Sequence, residues 1–231
     1  MTFIRHESCP QCGSRDNLGV YSDGSKWCFG CHYYEKGVTT MADVETEFTK
    51  NNKDNNDNNM PSDFSYSIPP VPYKWLKQYG ITNEEIISNK IGWSNIKQML
   101  IFPYSVNGDL IFWQGRYFPK QKVKCHTKGN PANTLILLDY MQDNQRVVVV
   151  EDPVSAIKVA RHAPVHCLFG SSLSMNNAIR LSRMYKELIV WLDYDKVGEA
   201  AKLAKKFAPL YIVSKFVISH DDPKVCIDAF I

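Results

Sequence analysis

Three short apolar runs in the second half of the chain alternate with two segments of helical length. The candidate strands are residues 146–150, 165–169 and 188–192, and the candidate helices are residues 154–162 and 174–185. Strands that alternate with helices predict a parallel sheet covered by helices on both faces, which is an α/β fold. In such sheets, ligand sites form at the carboxyl ends of the strands.

Acidic residues follow these candidate strands directly. Glu151 comes after the first strand, and Asp193 and Asp195 come after the third. Because residues i and i+2 leaving a strand point the same way, we expect Asp193 and Asp195 to face one spot. Asp222, in an Asp-Asp pair, follows the next apolar stretch, residues 210–218.

Carboxylates gathered at one edge of a sheet repel one another, and a divalent cation removes that cost. Magnesium favours a few carboxylates together with waters and substrate phosphates. The alternative is that these acids only cap the helices that follow them. Their shared position at strand ends favours Mg²⁺ (or Mn²⁺) held by Glu151, Asp193 and Asp195, with Asp222 in support.

Two Cys-x-x-Cys pairs near the start of the chain predict a structural zinc site. Cys9 and Cys12 form the first pair, and Cys28 and Cys31 form the second, with fifteen residues between the pairs. Four thiolates close a tetrahedral zinc site, whereas a redox pair is not normally duplicated at this spacing. A segment this short buries little core, and zinc binding of about 10–16 kcal/mol supplies the folding energy instead.

The zinc segment is rich in aromatic residues with interleaved bases, a combination that suits stacking on unpaired nucleobases. Its candidate contacts to unpaired nucleobases are Arg15, Lys26 and Trp27. The alternative is that some aromatics fill the small core of the segment itself, which we expect of Trp27 at least. The aromatic residues are Tyr21, Trp27, Phe29, Tyr33 and Tyr34.

Residues 41–63 are rich in asparagine, acidic and poor in apolar residues. Such a segment buries too little surface to offset the entropy of ordering it, so it predicts a flexible linker. The chain therefore divides into a zinc ribbon at residues 1–40, a linker at 41–63, a subdomain at 64–145 and a metal-binding domain at 146–231.

The subdomain at 64–145 has an α+β pattern. Residues 71–79 and 83–90 read as short helices, and residues 99–106 and 110–118 read as strands joined at Asn107-Gly108, a strong hairpin signal.

No acid lies between residues 110 and 138, whereas that stretch holds several bases. Lysines on exposed strands also protect a sheet edge, so a merely solvated face is the alternative. The acidic site that follows in the chain favours phosphate binding instead. The candidate nucleotide and nucleic-acid contacts are Arg116, Lys122, Lys124 and Lys128.

These patterns together resemble phage-type DNA primases. A strand ending in Glu followed by a strand ending in Asp-x-Asp resembles the TOPRIM domain, over about residues 146–228. The stretch CPQCGSRDNLGVYSDGSKWCFGCHYYEKG resembles the N-terminal zinc-binding domain of primases that short-tailed phages fuse to a helicase. The region from YGI through QKVKCHTKG and LILLD resembles the N-terminal part of the primase polymerase core. One departure is that Asp152 and Ser155 stand where TOPRIM domains often have Gly and a second acid.

The resemblance implies synthesis of short RNA primers on single-stranded DNA from ribonucleoside triphosphates, by two-metal phosphoryl transfer. In the family, lysines at the positions of Lys122 and Lys124 contact nucleotide and nucleic acid, and Arg116 and Lys128 match less well. A replicative helicase is the expected partner, as a separate chain or as another part of a longer product, because the sequence holds no Gly-x-x-x-x-Gly-Lys-Ser/Thr loop.

Two other functions fit parts of the pattern. A non-catalytic recombination mediator also pairs a four-cysteine zinc module with TOPRIM, but it needs neither the basic subdomain nor the metal-binding acids. A TOPRIM nuclease is the third possibility. The formal net charge is only +3, and the sequence has neither an apolar run of membrane-spanning length nor a signal peptide, so we expect a cytoplasmic protein, in the host cell if it is viral.

Overall fold

The computed structural model describes residues 3–22, 24–37, 59–140 and 145–227. Most of the predicted linker, residues 41–58, lies outside the described residues. Within the described part, no helix combines the length and the apolar composition needed to cross a bilayer.

The zinc ribbon is a four-stranded antiparallel sheet whose strands pair in chain order. Each Cys-x-x-Cys pair lies in a tight turn closed by a backbone hydrogen bond, from Gly13 N to Cys9 O (3.0 Å) and from His32 N to Cys28 O (2.9 Å). Gly13 and His32 both adopt positive φ, at 69° and 63°. The strands are β1 (Phe3–Glu7), β2 (Leu18–Tyr21), β3 (Lys26–Cys28) and β4 (Tyr34–Glu35).

The next unit combines two helices with a second antiparallel sheet, as predicted. Thr82 caps the second helix in a capping box with Glu85. Asn107 and Gly108 join the two long strands with φ of 52° and 91°, the backbone conformation that favours Asn-Gly in a tight hairpin. The elements are α1 (Pro70–Gln78), α2 (Asn83–Ser88), β5 (Gly92–Ser94), β6 (Met99–Val106), β7 (Asp109–Tyr117) and β8 (Cys125–Lys128).

The third unit is the predicted α/β sheet. Its strand order is β13-β12-β10-β11-β9, with every pair parallel except β11–β9. The strands are β9 (Leu137–Leu138), β10 (Arg146–Val150), β11 (Val165–Cys167), β12 (Glu187–Val190) and β13 (Val213–Phe216). The helices are α3 (Pro153–Val159), α4 (Met175–Met184), α5 (Val197–Phe207) and α6 (Pro223–Cys226).

Two hydrophobic cores cover the two faces of this sheet. Along β10, Val147 and Val149 face the core formed with α4 and α5, whereas Val148 and Val150 face the core formed with α3 and α6. This alternation follows from the two-residue period of a strand. The four consecutive valines of β10 are therefore buried on both faces of the sheet, as expected for a parallel sheet.

Two of the predicted boundaries differ from the structure. Strand β9 precedes residue 146 but pairs with β11, so the predicted division at 145/146 separates a strand from its sheet. With only two residues, β9 lacks the strand-helix-strand pattern from which the other strands of this sheet were predicted. Residues 59–63, assigned to the linker, pack on the second sheet: Trp113 donates a hydrogen bond to Asn59 O (3.2 Å), and Asp63 accepts one from Ser94 Oγ (2.7 Å).

Helix α3 joins the second and third units. All its residues from Val154 to Val159 are buried. Val154 and Ile157 pack among residues of α1, β5 and β6, whereas Ala156 and Val159 pack on the five-stranded sheet. Just beyond the helix, the Arg161 guanidinium donates two hydrogen bonds of 2.7 Å to Glu85 and one of 2.9 Å to Gly80 O. The two units therefore share one core.

The ribbon packs directly against the third unit. Trp27 is 0% exposed and belongs to the core of α4 and α5, with its ring 6.4 Å from that of Phe207 between centroids. Tyr21 and Tyr34 pack against the same core. Trp27 therefore fills an interface between units, and not the core of the ribbon alone as we expected.

The docking of the ribbon makes a prediction about stability. Trp27→Ala removes a fully buried ring and should lower the free energy of unfolding by about 3–5 kcal/mol. Phe29 is 50% exposed, so Phe29→Ala is the matched control and should change it by only about 0.5 kcal/mol. Urea unfolding of the zinc-loaded proteins measures both values, and equal losses would contradict the buried interface.

Candidate functional site

A cavity of about 370 Å³ lies between the second sheet and the carboxyl edge of the five-stranded sheet. One wall comes from α1, β6, β7 and the start of β8, and the other comes from loops after β10, β11, β12 and β13. The lining residues are Trp75, Tyr79, Phe102, Gln114, Arg116, Lys124, Cys125, Glu151, Asp152, Pro153, Val154, Phe169, Gly170, Asp193, Asp222 and Lys224.

The topology explains why this edge opens into a cavity. From the central strand β10 the chain first forms β11 on one side and then β12 on the other. Helices α3 and α4 therefore lie on opposite faces, and a crevice forms where the strand order reverses. Glu151 follows β10 at that point.

Asp152 begins helix α3 as its N-cap. Its carboxylate accepts hydrogen bonds from the backbone N–H of Val154 (3.0 Å) and Ser155 (3.1 Å). The Ser155 hydroxyl donates a further bond of 2.6 Å to Asp152 Oδ2. Ser155 stands where the TOPRIM pattern often has an acid. It is buried, and its hydroxyl helps to hold the carboxylate of Asp152 in place.

Asp193 and Asp195 do not leave a strand in the way we predicted. Strand β12 ends at Val190, and Tyr194–Lys196 form a 3-10 turn, so strand alternation does not apply to this pair. Asp193 lines the cavity, whereas Asp195 is exposed and is not among the lining residues. The expectation that both side chains face one spot for that reason was wrong. A role for Asp195 as a metal ligand stays a prediction.

Two lysines that the sequence analysis did not select contact these acids. Lys196 forms an ion pair and a short hydrogen bond with Glu151 Oε1. Lys224 lies 2.7 Å from Asp222 Oδ2, 3.3 Å from Asp152 Oδ2 and 4.0 Å from Asp193 Oδ1. Both lysines could have been found from the sequence, because each ends a short acidic motif, Asp-Tyr-Asp-Lys or Asp-Asp-Pro-Lys.

The pKa values of these groups follow from burial and charge. Burial raises the pKa of Asp193 to about 7; Lys224 opposes this rise, and the carboxylates of Asp152, Asp222 and Glu151 add to it. Burial lowers the pKa of Lys224, but Asp152, Asp222 and Asp193 together raise it above its usual value.

Two carboxylate oxygens at the site are buried and accept no hydrogen bond from the described residues: Glu151 Oε2 and Asp193 Oδ1. Buried acceptors normally have a partner, so these two atoms have the chemistry of metal ligands. Among the described residues, however, these acids do not form a group of three or more ligand atoms within 4.8 Å of one another, as the cysteines do.

The basic wall holds two of the four predicted phosphate contacts. Arg116 and Lys124 line the cavity, and the Arg116 guanidinium lies over the Trp75 ring at 4.5 Å. Lys122 lies on the exposed bend before β8, and Lys128 is at the end of β8; neither lines this cavity. The preference for Lys122 over Arg116 therefore has no support from this geometry.

Aromatic side chains that the sequence analysis did not assign to the site also line the cavity. Trp75 and Tyr79 come from α1 and its C-terminal cap, and Phe169 follows β11. In the sequence these aromatics look like ordinary residues of a helix face and a strand end. Only the packing of the two units shows that they line the cavity.

The four cysteines form a compact group. Cys9, Cys12, Cys28 and Cys31 bring their sulfur atoms within 4.8 Å of one another. The distances Cys9–Cys31 (3.5 Å) and Cys12–Cys28 (3.7 Å) are close to the tetrahedral edge of about 3.8 Å that Zn–S bonds of about 2.3 Å require. The group therefore fits zinc.

Of the three ribbon residues predicted to read template, Trp27 is buried against α5 and cannot stack on a base in this arrangement. Lys26 forms ion pairs with Glu35 (3.5 Å) and Glu7 (3.9 Å), and Arg15 is exposed. The large exposed aromatics of the ribbon are instead Phe3 and Phe29.

Comparison with known proteins agrees with this architecture. The chain is 23% identical to the DNA helicase/primase of Enterobacteria phage T3, over 97% of this chain and 41% of that protein. It thus spans less than half the length of that relative. No protein-family model matches the chain.

Solved primase structures have the same fold. The primase fragment of the bacteriophage T7 primase-helicase covers 99% of this chain and 96% of its own length, at 18% identity and a TM-score of 0.52. The zinc-binding and RNA polymerase domains of Aquifex aeolicus primase cover 100% and 78%, at 15% identity and a TM-score of 0.60. The predicted fold class and the resemblance to primases are therefore confirmed.

The raised pKa of Asp193 predicts how stability depends on pH. An unfolded aspartate ionises near pH 4, whereas the folded chain holds this proton up to about pH 7, so the contribution of Asp193 to stability falls between these values. Asp193→Asn removes that contribution. Urea unfolding of zinc-loaded protein without other divalent cations measures the free energy of unfolding of both proteins. From pH 5 to 7.5 the free energy of unfolding of the variant should rise relative to that of the unsubstituted protein, by at most about 1.4 kcal/mol per pH unit. A difference independent of pH would contradict the shift.

Proposed function

We propose that this chain is a DNA primase, which synthesises short RNA primers on single-stranded DNA from ribonucleoside triphosphates. One observation carries the proposal: the cavity has carboxylates on one wall and Arg116 and Lys124 on the other. Nucleotidyl transfer needs both, because cations hold the triphosphate while acids hold the metal that acts on the reacting oxygens. The similarity to the T3 helicase/primase supports the same activity.

Glu151 and Asp193 are the residues that we assign to magnesium, because each has a buried oxygen that accepts no hydrogen bond from the described residues. Magnesium bound there would lower the pKa of a primer 3′ hydroxyl and neutralise charge on the triphosphate. Asp222 supports the site through Lys224, and Asp195 is a further candidate ligand. The number of metal ions, two in the sequence prediction, stays a prediction.

The chain's own cations have separate tasks in this proposal. Lys196 holds one oxygen of Glu151, so that only the other oxygen would be available to a metal ion. The Arg116 guanidinium lies over the Trp75 ring, 4.5 Å from its centre, and this contact limits its rotamers before any ligand binds. Such a guanidinium suits bidentate binding of phosphate, and Lys124 beside it adds a second positive charge.

The ribbon would carry structural zinc and contact the template. Because Trp27 is buried, we assign template contact to Arg15 and to Phe3 and Phe29, which are 46% and 50% exposed. A replicative helicase as partner and a cytoplasmic location, in the host cell for a phage protein, remain part of the proposal.

Two other functions predict different products. A recombination mediator would bind DNA without chemistry, and a TOPRIM nuclease would cut it. Protein incubated with labelled ribonucleoside triphosphates, Mg²⁺ and a library of short single-stranded templates separates the three. We expect labelled oligoribonucleotides; shortened templates would indicate a nuclease, and bound but unchanged templates would indicate a mediator.

Glu151→Gln keeps the shape of the side chain but removes the charge that we assign to metal binding. Primer synthesis should fall by about a thousandfold or more, and Asp193→Ala should abolish it. Zinc content should not change in either variant, because the cysteines lie in a separate unit. Glu199→Gln, an exposed position on α5, is the matched control. Full activity of the Glu151 variant would refute the assignment.

The two basic positions Arg116 and Lys122 predict different kinetics. Arg116→Ala should raise the KM for ribonucleoside triphosphates about tenfold or more, the usual loss for a charge-assisted hydrogen bond. Lys122→Ala should change it less than about twofold, because Lys122 does not line the cavity. Steady-state primer synthesis measures both, and a larger effect at Lys122 would restore the original prediction from sequence.

A further inference from the structure

Lys224 occupies an unusual position for a lysine. Its side chain is only 12% exposed, and its ammonium contacts three carboxylates that come from three different loops. Asp152 follows β10, Asp193 follows β12, and Asp222 precedes α6. The ammonium thus takes the place among these acids that a metal ion takes in a carboxylate cluster.

Several contacts hold Lys224 there. Lys158, buried on α3, donates a hydrogen bond of 2.9 Å to the backbone carbonyl of Lys224. The ammonium donates a bond of 2.7 Å to Asp222 and lies 5.9 Å from the centre of the Tyr79 ring. The position is built by packing and is not that of a mobile surface lysine.

A count of charges indicates how much room remains for metal. The cavity wall carries four carboxylates, Glu151, Asp152, Asp193 and Asp222. Lys196 and Lys224 contact them and bring two positive charges. With Asp193 ionised, as metal binding requires, this wall keeps an excess of two negative charges, which one divalent cation would balance; Arg116 and Lys124 on the opposite wall are left for the phosphates.

The unpaired oxygens indicate the same number. Only Glu151 Oε2 and Asp193 Oδ1 are buried carboxylate oxygens without a hydrogen-bond partner among the described residues. Magnesium is commonly bound by one or two carboxylates, with waters and phosphates completing its shell. Glu151 Oε2 and Asp193 Oδ1 therefore suffice for one ion and leave little for a second, and Asp193 Oδ1 is also the atom that lies 4.0 Å from the Lys224 ammonium.

We propose that the Lys224 ammonium is a built-in second cation of this site, so that the chain without nucleotide binds a single divalent ion, on Glu151 and Asp193. This inference rests on the metal site of the proposed function. Lys224 acts as a positioning residue: it holds Asp152 and Asp222 and limits the number of ions that enter.

Titration with Mn²⁺ tests the proposal without any activity measurement. Electron paramagnetic resonance of zinc-loaded protein, without nucleotide, counts bound Mn²⁺. We expect one ion for the unsubstituted chain and two for Lys224→Met, with the first ion bound about tenfold more tightly because a positive charge near Asp193 is gone. Lys224→Arg restores the charge and should return the count to one.

The outcomes separate this inference from the proposed function. If the unsubstituted chain binds two ions, or if Lys224→Met still binds one at unchanged affinity, the role of Lys224 is refuted while the metal site stands. If the unsubstituted chain binds none, or if Glu151→Gln leaves binding unchanged, the metal site itself is refuted. The count on the unsubstituted chain decides the point even if Lys224→Met does not fold.

Discussion

Repulsion among carboxylates at one edge of a parallel sheet is the constraint on which the site depends. Four acids line one cavity wall, where burial weakens their hydration. Isolated buried charges would be prohibitive, and the chain offsets them with Lys196, with Lys224 and with the backbone N–H groups at the start of α3. The compensation is incomplete at Glu151 and Asp193, each of which has a buried oxygen without a hydrogen bond from the described residues, and the proposed metal site rests on these two oxygens.

Helix α3 converts this edge into a two-walled cavity. Helix α3 is buried from Val154 to Val159, and its apolar residues pack on the five-stranded sheet on one side and on α1 and the second sheet on the other. The same helix begins at Asp152 and carries Lys158, which holds Lys224. The position of the basic wall and the arrangement of the acids therefore depend on one element.

The ribbon adds a constraint of a different kind. Trp27 packs near Phe207, at the end of α5, whereas the acids lie near the start of that helix. The ribbon thus docks on the core of α4 and α5, near the end of α5.

Local patterns in the sequence determined a large part of this protein: the parallel strands, the Asn-Gly hairpin, the cysteine group and the acids at strand ends. Each of these features is encoded by a few consecutive residues, because side-chain periodicity and turn chemistry determine it locally. Only the tertiary structure decided four features: the antiparallel strand β9, the burial of Trp27, the presence of Arg116 and not Lys122 in the cavity lining, and the two lysines among the acids. The physical reason is that these contacts join residues far apart in the chain, such as Asp152 and Lys224, whose approach depends on how whole helices and sheets pack.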